Sequence, residues 1–171
     1  MSILEIIKNR RSIRKFQEKP IPENLIEKLI EALIWAPSAG NLQSRKFYLV
    51  FNQKKKEGLS KASRDQWDFI AGAPLVVVGC IDYKNDRFGE RGRNIFAICD
   101  VALSIQNLML LAYSENLGSV WVGLFDEEKV TKILNLPANL RPIALVPIGY
   151  PAEKPKTTTR LSKDELIKFI K

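Results

Sequence analysis

Three guanidiniums and a hydroxyl stand within five residues near the start of this chain: Arg10, Arg11, Ser12 and Arg14, in the run RRSIRKF. Arginine is a planar, always-charged fork with several donors, a shape that suits phosphate oxygens and the polar edges of rings. Such forks beside a small hydroxyl, just past an apolar helical turn (Ile3, Leu4, Ile6, Ile7), look like a cradle for one anionic ligand. A basic run taken alone is more often a solvated face, so the weight falls on what accompanies it. In PSAGNLQSRKF, small and amide residues cluster at Ser38, Ala39, Gly40, Asn41 and Gln43. They are ordinary material for a helix-to-strand loop. Two amides and a serine with little bulk also suit close approach to a polyhydroxylated or ring-amide ligand.

What is missing narrows the chemistry. The chain has no histidine, which removes Ser-His-Asp and Cys-His nucleophilic catalysis and almost every zinc site; no metal site is expected. No GxGxxG follows a strand and no GxxxxGK[ST] appears, so neither phosphate-loop fold is signalled. An enzyme so equipped draws its reactivity from a bound organic cofactor.

At 171 residues, 46% hydrophobic and 27% charged, the chain is expected to be one globular domain over 1–171. The net charge of +8 suits an acidic ligand or nucleic acid. Much of it is lysine, as at Lys54 to Lys56, and the aromatics lie mainly in apolar runs rather than among the charges, which argues against a nucleic-acid partner. No apolar run is expected to span a bilayer, and the charged N-terminus does not read as a secretory signal. Cys80 and Cys99 lie in apolar surroundings and are expected to be buried thiols of a cytoplasmic protein.

The elements that must position these segments follow from periodicity and punctuation. Ser2 caps a helix to about Asn9. Leu25, Ile26, Leu29, Ile30, Leu33 and Ile34 mark an amphipathic helix that Pro37 ends. Phe47–Phe51 reads as a strand, followed by a lysine-rich helix and a short helix ended by Gly72 and Pro74. Leu75–Ile81 is a strand buried on both faces. Tyr83–Asn94 is a polar connection whose length fits a lid or rim element and, equally, plain disorder. Ala97–Asn116 is the longest helix, roughly 30 Å at 1.5 Å per residue. It is apolar almost all round and so needs cover on every side, from its own sheet alone or from a partner chain as well. Ser119–Phe125 and Ile143–Gly149 read as core strands, with a helix from Asp126 to about Leu134 between them. The tail is extended through Arg160, then briefly helical. Trp35, Trp67 and Trp121 are expected in the core, and Asp100 and Gln106 as buried helix polars. The fold class is α+β, a central sheet sandwiched by helices.

RRSIRKF, APSAGNLQ and GSVWVGLF, with the helix DVALSIQNLMLLAYSENLGS before the last, together resemble the FMN-dependent nitroreductase family in order, spacing and chain length. The resemblance implies a mixed sheet, an intertwined homodimer and one FMN in each of two clefts at the dimer interface. By that resemblance Arg10, Arg11, Ser12 and Arg14 meet the FMN phosphate, ribityl chain and pyrimidine edge. Ser38, Ala39, Asn41 and Gln43 reach the FMN of the other subunit. Val122, Gly123 and Leu124 form the turn beside flavin N(5), Arg160 reaches the phosphate, and Gln66 an edge of the pyrimidine. The implied activity is ping-pong: NADH or NADPH passes hydride to N(5), then a nitroaromatic, quinone or similar electron-poor small molecule accepts it. No side chain is singled out as an acid or base. The family also holds specialised activities such as dehalogenation, and a non-enzymatic FMN store or sensor is the alternative of another class. Two positions depart from the family pattern: Ser44 stands where proline is common, and Thr158 where lysine is common.

Overall fold

The computed structural model describes residues 1–63, 67–84 and 87–171. Helix α1, Ile3–Asn9, opens on a capping box: Ser2 Oγ accepts the Glu5 N–H, and Glu5 accepts the Ser2 N–H at 2.6 Å. Helix α2 is Glu23–Ile34, and a single 3-10 turn covers Ala39–Asn41. Strand β1 (Arg45–Val50) leads to helix α3 (Gln53–Ala62, capped by Asn52), helix α4 (Asp68–Gly72) and strand β2 (Leu75–Asp82). Helix α5 (Gly89–Arg91), a π-turn (Gly92–Phe96) and helix α6 (Ala97–Ser114) follow. Strand β3 (Gly118–Ser119), helix α7 (Glu127–Leu134, capped by Asp126), strand β4 (Leu140–Gly149) and helix α8 (Lys163–Leu166) complete the chain.

The sheet order is β1-β2-β4-β3, and neighbouring strands pair antiparallel. The mixed character implied by the resemblance is confined to one parallel bridge, Ser12 to Ser119. Side chains alternate across β2. Leu75, Val77 and Ile81 face a core layer with α2 and α6, while Val76, Val78 and Cys80 face a second layer with α3, α4 and α7. The α+β sandwich follows directly: a strand apolar on both sides needs a helical layer on each.

Four expectations are corrected. Ser119–Phe125 is not a continuous strand; after β3 it touches the sheet through a single bridge, Val122 to Leu145, and the end of α3 through another, Phe125 to Ser63. Val122 and Leu145 exchange both backbone bonds at 2.9 Å. The next pair in that register is Val120 with Pro147, and proline has no N–H to give, so the ladder breaks there. Second, the Tyr83–Asn94 connection is helical from Gly89 and runs on into α6. The Phe88 and Phe96 rings, edge to face at 5.5 Å, brace that entry.

Third, the run Gly89–Ser114 is long and apolar enough to cross a membrane by length and composition, against expectation. Ala97, Val101, Ile105, Leu108, Met109 and Ala112 are nevertheless buried in the core layer of α2 and the sheet. Fourth, the outer face of α6 is open. Cys99, Leu103 and Gln106, spaced by one helical turn, are exposed rather than buried. Trp121 is exposed with them, and Trp35 is 78% exposed with its indole on Glu31. Among the tryptophans, Trp67 packs against the core as expected.

Candidate functional site

The arginine segment is an extended edge laid on the sheet. Ser12 bridges to Ser119, and the Ile13 N–H donates to the Ser119 carbonyl at 3.1 Å. A Cβ at Gly118 would lie 2.6 Å from Ile13 Cγ1, so the absence of a side chain there lets the segment sit down. Its far end pairs with the chain beyond β4. Lys15 accepts from the Ala152 N–H at 2.9 Å, Gln17 donates to Tyr150 at 2.9 Å, and Glu153 accepts the Arg14 and Lys15 N–H groups.

In an extended chain alternate residues share a face. Arg11 and Ile13 turn to one side, into a cleft of about 530 Å³ with Asn116 and Glu153. The Arg11 guanidinium donates to the Lys8 and Arg10 carbonyls at 2.7 and 2.8 Å, closing the end of α1. Arg10, Ser12 and Arg14 alternate with them. Arg10 Nη1 is buried with no hydrogen-bond partner among the described residues. Burial first, then the charges of Arg160 and Arg11, push the Arg10 guanidinium below its usual value. Arg160 arrives from the tail and is oriented by its own neighbours, donating to Thr158 Oγ1 at 2.6 Å and the Thr159 carbonyl at 2.8 Å. Thr158, the departure from the family pattern, thus serves as an acceptor where lysine could not.

The Ser38–Ser44 loop is a second half-site. Gly40, Asn41 and Gln43 all have left-handed backbone, φ 56°, 55° and 53°. For a residue such as Gln43 this costs on the order of 1 kcal/mol, which the surroundings must offset. Ser38 Oγ accepts the Gln43 N–H at 3.1 Å, and the Gln43 amide reaches Asn41 Oδ1 at 3.4 Å. Gly40 lies against the Phe88 ring, where a Cβ would come within 2.9 Å of Cζ. Asp100 accepts the Ala39 and Ser44 N–H groups at 3.1 and 3.2 Å. Arg45 closes the preceding helix by donating to the Ile34, Ala36 and Pro37 carbonyls at 2.7 to 3.0 Å. Ser44, in place of proline, supplies an N–H that proline lacks.

Val122 is buried by its pairing with Leu145, while Gly123 and Leu124 are exposed between the two bridges. Gln66 lies outside the described residues. The structure therefore brings Arg10, Ser12, Arg14 and Arg160 to one edge, and Ser38, Ala39, Asn41 and Gln43 to one loop. The two groups hang from opposite ends of α6: Asp100 holds the loop near its start, and the arginine edge pairs just beyond its end. From Asp100 to Ser114 is about 21 Å along the axis. Sequence reasoning passed over Asp100, Arg45 and Glu153 as working residues. Asp100 left a signal, being the one acidic residue in α6.

An α+β sandwich with an arginine edge at one end of its central helix and an amide loop at the other defines a class of ligand-binding fold, and the comparisons name it. Residues 7–150 match the Nitroreductase family, and the chain belongs to that family. An NADH dehydrogenase/NAD(P)H nitroreductase of Methanothermobacter thermautotrophicus is 31% identical over 170 residues, covering 97% of this chain and 86% of the relative. A crystal structure of an NADH dehydrogenase/NAD(P)H nitroreductase from Parabacteroides distasonis superposes with a TM-score of 0.86 at 28% identity, covering 97% of this chain and 96% of the other. The NADPH:FMN oxidoreductase of Vibrio harveyi, solved in complex with NAD+, superposes with a TM-score of 0.88 at 26% identity, covering 99% of this chain and 77% of the other.

Proposed function

We propose that the chain is an FMN-dependent oxidoreductase that takes electrons from NADH or NADPH and passes them to nitroaromatic, quinone or similar electron-poor acceptors. The observation that carries this reading is Arg10: a buried guanidinium nitrogen without a partner among the described residues, with Arg160 and Arg11 crowding its charge. The like charges of Arg10 and Arg160 meet, with Arg11 adding to them from the neighbouring face, where a phosphate monoester, with about two negative charges at pH 7, would relieve their repulsion and fill the orphaned donor. The residues present fit the phosphate end of FMN.

When bound, FMN supplies two-electron hydride chemistry at N(5), run as ping-pong between the nicotinamide donor and the acceptor. The rest is binding, orientation and electrostatics. Arg10, Arg11 and Arg160 hold the phosphate, Arg11 through its charge. Ser12 gives a hydroxyl to the ribityl chain, and Arg14 sets a cation beside the pyrimidine edge. Ser38, Ala39, Asn41 and Gln43 enclose the ring from a second copy. Val122 anchors the turn on which Gly123 and Leu124 bring exposed backbone to the ring.

Two copies are part of this reading. The half-sites hang near opposite ends of α6, whose Asp100 and Ser114 lie about 21 Å apart along the axis, an arrangement that suits closing one ring from two chains. The outer face of α6 and the apolar groove of about 530 Å³ between α1, α2 and α6, lined by Ile3, Ile6, Trp35, Leu110 and Leu111, are the surfaces a second copy covers. The unpaired thiols suit a reducing, cytoplasmic setting.

A spectrum and a titration test it. The purified protein should show flavin absorbance that bleaches with NADH or NADPH and returns when a quinone is added. A colourless protein that takes up no FMN would end the reading. Bleaching by dithionite but by neither nicotinamide would point to a flavin store.

A further inference from the structure

One buried carboxylate holds the whole amide loop. Asp100 is 2% exposed, and each of its oxygens accepts a backbone N–H, Oδ1 from Ala39 and Oδ2 from Ser44. Those two amides bracket the left-handed residues Gly40, Asn41 and Gln43. A carboxylate removed from water must be matched by donors. The nearby Arg45 guanidinium acts on it through charge, while three of its N–H groups go to the Ile34, Ala36 and Pro37 carbonyls. The loop backbone therefore meets the carboxylate directly, and the turn between its two anchors is thrown outward with both amide side chains exposed.

We propose that Asp100 is a positioning residue for the flavin pocket: its two oxygens set the 39–44 backbone so that Asn41 and Gln43 face a flavin held by the arginine edge of a second copy. This rests on the shared-site reading above. Asp100 acts from within the fold of one chain on the pocket of the other.

Asp100→Asn keeps the volume but offers one acceptor where two are used, and its NH2 opposes the second N–H. FMN affinity of the flavin-free variant, read by quenching of flavin fluorescence, should fall about tenfold or more. Unchanged affinity overturns the proposal. Mixed dimers then locate the lesion. Refolded in equal amounts with Arg10→Glu, Asp100→Asn chains should form dimers in which one site has intact arginines and an intact loop. With random assembly about a quarter of all sites should regain full affinity. A reference mixture pairs Arg10→Glu with the double variant Asn41→Lys, Gln43→Glu and should recover equally.

Failure of the reference mixture, with mixed dimers shown by native mass spectrometry, overturns the shared site and this proposal with it. Recovery in the reference without recovery for Asp100→Asn overturns the proposal alone, because the lesion then strikes its own chain's arginine edge. Should Asp100→Asn fail to refold, amide exchange in the unmodified flavin-free protein decides. The Ala39 and Ser44 amides should be protected alongside those of the α6 core; rapid exchange of both overturns the assignment.

Discussion

Arg10 is where flavin selectivity should be decided. Its buried Nη1 has no partner among the described residues, so a bound phosphate gains a charge-assisted bond that a phosphate-free flavin cannot form. Such a bond is worth about 1.5–3 kcal/mol, ten- to a hundredfold in affinity. FMN should therefore bind at least about tenfold more tightly than riboflavin, and Arg10→Ala should erase most of that gap. Equal affinities in a fluorescence titration of the unaltered protein would remove the phosphate site. Arg14 plays a different part. A cation beside the pyrimidine edge favours the reduced, more negative ring, so Arg14→Ala should lower the flavin potential and slow reduction by the nicotinamide even at saturating FMN. A potential that stays put in a filled site would strip Arg14 of this role.

The short strand β3 governs how the arginine edge lies on the sheet. Ile13 packs where a Gly118 Cβ would stand, at 2.6 to 2.9 Å from three of its atoms. Gly118→Ala should push the edge outward, costing about 1–3 kcal/mol as overpacking and weakening FMN together with stability. Urea unfolding of the flavin-free protein separates the two effects. On the other side of the sheet, burial in β2 pushes the Cys80 thiol up from 9.0 to about 12. The folded protein then keeps a proton that the unfolded chain gives up, so stability falls as pH rises from 9.0 towards 12. Cys80→Ala should flatten that part of the stability profile relative to the unaltered protein. Identical slopes for the two would show that the thiol does not titrate differently on folding.

The whole molecule leaves more apolar surface open than one domain of this size needs. Beyond the outer face of α6, the tail exposes Leu161, Leu166, Ile167, Phe169 and Ile170, the last at 97%. Such a segment, with a four-residue helix and no buried side chain, is held among the described residues only by its own capping box and the Lys163–Phe169 contact, which offset little of its ordering. Docking on a second copy would offset more. On the two-copy reading proposed above, ending the chain after Arg160 should shift sedimentation from dimer towards monomer and reduce FMN retention, although the phosphate arginines are all still present. An unchanged dimer would mean that the α6 face alone holds the two copies together.

Local chemistry determined the caps at Ser2, Asn52 and Asp126, the amphipathic α2 and the doubly buried β2, because each depends on neighbours within a few residues. The motif segments were legible for the same reason: arginines, amides and glycines keep their chemistry wherever the chain places them. The family resemblance read from RRSIRKF, APSAGNLQ and GSVWVGLF agrees with the family match. Tertiary structure decided the rest through contacts between residues far apart in the chain. Pro147 interrupts a strand that the run SVWVGLF suggests, because the missing N–H lies on the opposite strand. Cys99 and Gln106 face outward because the sheet takes only one side of an all-apolar helix. Asp100, read as a plain buried polar, became the anchor of the amide loop only when folding brought two backbone N–H groups, 56 and 61 residues away in sequence, to its oxygens. Periodicity reports which side of an element is apolar; only packing reports what meets it.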